Sequence, residues 1–284
     1  MSEMISIVSQ KGGVGKTTSA VCIGWFLARA GYRTLLLDLD LQNGLAIGVG
    51  LLKSERASGA YDMLTHRTSL DQAITPTRFE RLDAIPFGES AASPTLIEAT
   101  LGLGTAKRTF AEALDKLRQR YDFILADTPS GSATSTKFAL FRADSVLLPL
   151  QCQPLALRIL PGLLRAIRSI KRTINPGLRI RGLLLTMFDL WDDTSERIAS
   201  QVWAHFPKRL VFRATIPKSD IFQKIFSNEA NPLLEDEPPE ALRAYELIAR
   251  EIVGLGAEIA GPDAEIAGPG AETPGSRADN PIGP

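Results

Sequence analysis

The sequence is poor in the residues that mark secreted, metal-rich or membrane-spanning chains. It has 2 cysteines, Cys22 and Cys152, each inside an apolar run. Thiols so placed read as buried and reduced, which excludes a disulfide scaffold and a thiolate metal cluster. It has 2 histidines, His66 and His205, without partners at metal-ligand spacing, and both read as incidental. No apolar run is long enough to cross a bilayer. The chain enters a strand-like run at residues 4–8 with no basic segment and long apolar stretch before it. No signal peptide is therefore expected, and the expected compartment is the cytoplasm. Neither sign of charge is in excess: 32 Lys+Arg stand against 32 Asp+Glu. The molecule as a whole does not attract polyanions, so any binding to DNA or a membrane must come from a local patch.

What the sequence does have is alternation. Its 284 residues suffice for one large α/β domain or two small ones. Residues 5–8, 34–39, 123–126 and 146–150 are short apolar runs, the pattern of parallel strands covered on both faces. Residues 82–85, 180–186 and 210–214 are expected as further strands. Residues 16–30, 61–64, 109–120, 157–171 and 240–253 are expected as helices, the first closed by Gly31. The rhythm predicts a single doubly wound α/β domain over residues 1–254, a mostly parallel sheet with helices on both faces. Residues 255–284 differ. They are rich in Gly, Ala and Pro, and Ala-Glu-Ile-Ala-Gly-Pro occurs at 257–262 and again at 264–269. Such a segment has little to bury and is predicted to be a disordered tail.

The densest chemical signal is Lys11-Gly12-Gly13-Val14-Gly15-Lys16-Thr17-Thr18, between the first strand and the first helix. Glycines let the backbone turn tightly and approach phosphates without Cβ clashes. Successive N–H groups then point inward, and the helix N-terminus adds partial positive charge. Lys16 is placed for the β- and γ-phosphates, and the Thr17 hydroxyl for Mg²⁺. A chance Gly-rich turn does not account for residue types, spacing and context together.

The loop departs from the general G-x-x-x-x-G-K-[ST] pattern, because Gln10 stands at the first glycine and Lys11 follows it. Here the sequence resembles the deviant Walker A group, the ParA/MinD family of P-loop ATPases, whose loop reads K-G-G-x-G-K-T. The resemblance implies ATP and Mg²⁺ as cofactors and an ATP-dependent homodimer. It also implies a trans role for Lys11, reaching the phosphates held by the partner subunit.

Asp38 and Asp40 end the second strand, at the carboxyl edge where open α/β sheets bind ligands. The resemblance assigns Asp40 to the attacking water and Asp38 to the neighbourhood of Mg²⁺. The family continues D-P-Q-G, whereas this chain reads Asp40-Leu41-Gln42-Asn43, a change in loop stiffness. Residues 121–131 form an apolar strand ending in Asp127, followed by Thr128-Pro129-Ser130-Gly131. This has the form of a Walker B and switch II segment, with Asp127 as a Mg²⁺ ligand. No arginine finger is identifiable in the chain, so slow hydrolysis raised by a partner is expected.

The resemblance runs on to residue 253. Leu148-Pro149-Leu150-Gln151-Cys152-Gln153 is similar to a P-V-Q-x-E block, and Thr186-Met187-Phe188-Asp189 to T-M-x-D. Ile216-Pro217-Lys218 is similar to the I-P-R segment beside the nucleotide base. Met187, Pro217 and Lys218 are thus implied on the base side. The chain is most similar to small ParA-type partitioning ATPases, which implies nonspecific DNA binding by the ATP dimer, nucleoid association and a ParB-like or cargo-adaptor activator. Where that group carries DNA-binding arginines, this chain has Trp191 and residues 219–226. A substitute is Arg158, Arg165, Arg168 and Arg172, spaced to share one helix face, against the plainer reading of a solvated face. A MinD-like membrane-cycling ATPase is the alternative. It calls for a basic amphipathic C-terminal helix, but residues 256–284 have Arg277 as their only basic side chain, so no stable membrane association is expected. An iron-protein kind lacks its cluster cysteines, and the intact Lys16, Thr17, Asp40 and Asp127 speak against a non-catalytic scaffold.

Overall fold

Strand-forming apolar runs alternate with amphipathic helices, and the chain winds them into one sheet with a helical layer on each face. The computed structural model describes residues 2–88, 93–131, 133–227, 231–235 and 237–258. The strands are β1 (Glu3–Ile7), β2 (Thr34–Asp38), β3 (Thr75–Pro76), β4 (Leu82–Ile85), β5 (Phe123–Asp127), β6 (Ser145–Gln151) and β7 (Arg179–Thr186). The first half carries helices α1 (Lys16–Arg29), α2 (Gly44–Gly48), α3 (Ala60–Leu64), α4 (Leu70–Ala73), α5 (Pro94–Gly102) and α6 (Gly104–Arg120). The second half carries α7 (Ala133–Leu140), α8 (Pro154–Thr173), α9 (Asp193–His205), α10 (Ile221–Lys224) and α11 (Glu240–Glu258).

The sheet has 7 strands in the order β3-β4-β2-β5-β1-β6-β7. Only β3 runs antiparallel, against β4. The doubly wound, mostly parallel fold expected from the alternation is thus the one observed. Consecutive strand residues serve opposite faces. Met4 and Val8 join the core under α6, α7 and α8, while Ile5 and Ile7 join the core under α1 and α11. Continuous burial along β2 and β5 follows from covering both faces.

Helix α1 ends as its sequence suggests. Gly31 adopts φ +95°, its N–H donates to Ala28 O and that of Tyr32 to Leu27 O, so two of the last free carbonyls are satisfied. Both cysteines are free and buried. Among the described residues no helix is long and apolar enough to cross a membrane.

Residues 210–214 are not a strand. A short 3₁₀ turn at Lys208–Leu210 leads into an irregular segment whose only ladder position is Val211 against Leu183. Phe212 N–H donates to Leu183 O and Ile216 N–H to Leu185 O, so the segment advances four residues while β7 advances two. The excess loops outward, and Arg213 N–H goes to the Glu251 carboxylate instead of the sheet. Helices α2, α4, α5, α7, α9 and α10 are additional to those expected. Helix α11 runs to Glu258, past the expected domain end at 254. The rest of the expected tail, residues 259–284, lies outside the described residues.

Candidate functional site

The carboxyl ends of β1, β2 and β5 meet in register, with Ile7 and Asp38 each opposite Asp127. The segment leaving β1 is the glycine loop. Gly13 (φ +71°) and Gly15 (φ +88°) lie in the left-handed region, which a side chain would strain. The Thr186 hydroxyl at the end of β7 donates to Val14 O at 3.0 Å and Ser9 Oγ to Lys11 O at 2.7 Å, pinning the loop from both sides. Ser19 N–H donates to Gly15 O at 2.8 Å, and α1 begins there with its first N–H groups facing the loop.

Lys16 is buried, and its Nζ donates to Ser130 Oγ at 2.6 Å. Burial holds its ammonium below the usual lysine range, against the pull of Asp127 and Asp40. Thr17 Oγ1 donates to Asp127 Oδ2 at 2.6 Å. Asp127 Oδ1 is buried without a partner. Burial pushes the Asp127 carboxyl up to about 6, opposed by the Thr17 hydrogen bond and Lys16, with Asp40 adding to the rise. An orphaned carboxylate oxygen beside a threonine hydroxyl and a phosphate loop fits a divalent cation that takes its other ligands from phosphates and water. Among the described residues no group of three or more His, Cys, Asp or Glu could hold a metal unaided.

Asp38 is fully buried. Its Oδ1 accepts the N–H of Asp40 at 2.9 Å and its Oδ2 that of Leu45 at 3.2 Å. Burial, together with Asp127, raises its pKa well above the carboxylate range. Both oxygens are thus spent on the loop that carries Asp40, which is itself partly exposed. Asp40 closes that loop from its other side, accepting Gln42 N–H on its carboxylate and Asn43 N–H on its carbonyl. Asn43 stands where the family sequence has glycine and adopts φ +52°, a conformation asparagine tolerates. Its side chain accepts Phe87 N–H at 2.8 Å and donates to Gly88 O, replacing glycine's freedom with anchorage.

Lys11 lies apart from this cluster. Its Nζ donates to Gln151 Oε1 at 2.8 Å and to Gln153 Oε1 at 3.3 Å, at the end of β6. Gly12 and Gly13 are exposed and Thr18 is half-buried. Met187 follows Thr186 directly, and Phe188 pairs with Pro217, so Met187, Pro217 and Lys218 gather beyond β7. Lys218 Nζ pairs with Asp189 at 3.2 Å. Arg158, Arg165, Arg168 and Arg172 are all exposed on the outer face of α8, whose inner face buries Leu160, Leu163, Ile167 and Ile170. Trp191 is 95% exposed. Ser130, Gln151 and Gln153 are lysine partners beyond the expected site residues. The P-V-Q-x-E block carried the only signal for the two glutamines, and nothing local marks Ser130.

Comparison with known proteins agrees with this geometry. The AAA domain family model matches residues 2–180. The chromosome partitioning protein ParA of Caulobacter vibrioides is 36% identical over 88% of this chain and 93% of its own. The sporulation initiation inhibitor protein Soj of Bacillus subtilis is 33% identical over 90% of this chain and 100% of its own. The chain belongs to the ParA/MinD family of P-loop ATPases. The cell division ATPase MinD of Pyrococcus furiosus superposes with a TM-score of 0.71 at 25% identity, over 90% of this chain and 100% of that one. Cobyrinic acid a,c-diamide synthase of Mycobacterium smegmatis, solved with an ATP analog and magnesium, gives a TM-score of 0.75 at 25% identity over 90% of this chain and 96% of its own. Residues 11–18 carry the deviant Walker A pattern of that family.

Proposed function

We propose that this chain is a Mg²⁺-dependent ATPase that dimerises on ATP and partitions or positions a cargo, either DNA or a protein assembly. The observation that carries this reading is the convergence of Lys16, Thr17, Asp40 and Asp127 at one sheet edge. Lys11 stands just outside that cluster on two neutral glutamines. The names of the relatives, chromosome partitioning proteins among them, support the cargo class.

In this reading Thr17 and Asp127 hold Mg²⁺, which when bound neutralises charge on the phosphoryl oxygens. Lys16 exchanges the Ser130 hydroxyl for phosphate oxygens, a stronger, charge-assisted partner. Asp40 orients the attacking water from a loop that Asp38 and Asn43 hold in shape. Asp38 therefore acts through the loop rather than as a metal ligand. Lys11 leaves Gln151 and Gln153 to reach the nucleotide of a second subunit, and Met187, Pro217 and Lys218 border the base. With no arginine finger identified in the chain, turnover is slow until a ParB-like or cargo-adaptor protein raises it. The compartment is the cytoplasm, with the nucleoid as the surface bound.

The test is chain size and phosphate release, with ATP or ADP, for the unchanged protein and Asp40→Ala. Asp40→Ala is expected to form a persistent dimer in ATP with hydrolysis lowered by about 10²-fold. A variant that hydrolyses normally, or stays monomeric in ATP, overturns the mechanism.

The exposed arginines of α8 are the DNA-binding groups in this reading. Duplex DNA binding with ATP present should weaken as salt rises. Arg165→Ala with Arg168→Ala should lower both the affinity and the salt slope, the slope by about one unit for each phosphate left unneutralised. Binding that is absent at low salt, or indifferent to both substitutions, rules out this face.

A further inference from the structure

At the opposite end of β7 from the glycine loop lies a cavity of about 680 Å³, lined by Arg181, Trp203, Lys208, Arg209, Phe212 and Arg213 among others. Arg181 is near the amino end of the strand, and Thr186, which holds the loop, is at its carboxyl end. Five residue steps along the strand separate them by about 17 Å, so a nucleotide seated in the loop does not fill this space.

The lining carries more cations than carboxylates. Total charge is zero across the chain, yet Lys208, Arg209 and Arg213 are exposed together here, over the buried guanidinium of Arg181. Glu251 is the one carboxylate in the lining among the described residues, and it already accepts Arg213 N–H at 3.1 Å and 3.4 Å. Arg181 is 4% exposed. It donates to Ile252 O and lies 3.5 Å from Glu3 Oε1, an oxygen that also accepts the Ser145 hydroxyl at 2.7 Å. Its Nε has no partner. A buried cation with a loose, shared counter-ion is costly, and an anion nearby offsets that cost. Burial, and after it the neighbouring Arg179, hold this guanidinium below its usual range against the pull of Glu3. Part of the wall is apolar: Phe212 is buried against Gly182, and Trp203 is 41% exposed.

We propose that this cavity binds a phosphate-bearing ligand of nucleotide size, with its phosphate on Lys208, Arg209 and Arg213 and its ring against Trp203. Guanidinium and ammonium groups give charge-assisted bonds to phosphate, and an indole face accepts any base by stacking. The volume falls within the range of small-ligand sites and exceeds what a bare phosphate needs. The phosphate can come from a free nucleotide or from a nucleic-acid backbone.

The experiment is a calorimetric titration of the full chain with AMP and, separately, with short duplex DNA. The variants are Lys16→Ala, Trp203→Ala and the pair Arg209→Ala with Arg213→Ala. AMP binding is expected to survive Lys16→Ala, which disables the loop, and to weaken about tenfold in each cavity variant. That result assigns a free nucleotide. Duplex binding that weakens in the cavity variants, with no AMP bound, assigns the same phosphate contacts to a nucleic-acid backbone. If neither probe binds, or the cavity variants bind both as the unchanged protein does, the inference is overturned. The substituted arginines are exposed and remote from the loop, so retained ATP hydrolysis reports that the variants fold. It also separates failure here from failure of the ATPase reading.

Discussion

Replacing Lys16 with alanine should lower kcat/KM for ATP by about 10²–10³-fold, the usual effect of removing one preorganised donor from a site of developing negative charge. Lys16 is buried at the start of α1 and held by Ser130 Oγ at 2.6 Å, so its ammonium is already aimed before nucleotide arrives. Within one subunit, no other cation among the described residues is placed to substitute. The subunit's own Lys11 is held by Gln151 and Gln153 and, in this reading, serves the second subunit's nucleotide, so an alanine at 16 leaves the loop's backbone N–H groups as the subunit's own donors. The fold should tolerate the change. Losing Lys16 removes a desolvated charge, but it also removes one of the groups that lower the Asp127 pKa, so the effects on stability oppose. Steady-state phosphate release at saturating Mg²⁺ checks the rate, and a Tm within about 4 °C of the unchanged protein checks the fold. Near-normal hydrolysis would remove Lys16 from the chemistry.

The largest loss of stability is expected from Gly59→Ala, about 3 kcal/mol, or a Tm drop of about 10 °C. The reason is space, not backbone conformation. Gly59 is extended, with φ −170°, which any residue adopts. A Cβ there would fall 2.0 Å from Pro86 O and 2.7 Å from Gly88 N, both backbone atoms that cannot rotate away. Residues 86–88 accept the first N–H groups of α3, Ala60 N–H on Pro86 O at 2.8 Å and Tyr61 N–H on Phe87 O at 2.9 Å. Pushing them apart breaks both bonds. The same segment anchors Asn43 through Phe87 N–H and Gly88 O, so the Asp40 loop should loosen as well. Gly59→Ala is therefore expected to reduce hydrolysis even below its melting temperature. Gly104→Ala, where a Cβ meets nothing within 4 Å, serves as the control and should leave Tm unchanged or slightly raised. Equal melting of the two variants would show that α3 is free to move.

The cradle was legible because it is contiguous. Residues 11–18, the strand before them and the helix after them form one local unit, and the chemistry of glycine, lysine and threonine at that spacing does not depend on distant contacts. Asp127 was legible for a similar reason: an apolar run ending in one carboxylate is the carboxyl edge of a buried strand. Residues 210–214 read as a strand because an apolar run has the same periodicity whether its N–H groups meet a ladder or a carboxylate such as Glu251. Asn43 in place of glycine read as a change in loop stiffness, yet it takes the left-handed turn and adds side-chain bonds.

The sequence by itself determined the alternating α/β fold, the glycine loop between β1 and α1 and the family, since each rests on pattern within short stretches. The tertiary structure decided which groups meet. It put Ser130 on Lys16, Gln151 and Gln153 on Lys11, and Asp38 beneath the Asp40 loop. It also brought Arg181 beside a turn some thirty residues later and the end of the last helix. Periodicity specifies which face of an element is buried. It does not specify which loops the packed sheet brings within reach, and those contacts position the charges on which the proposed chemistry depends.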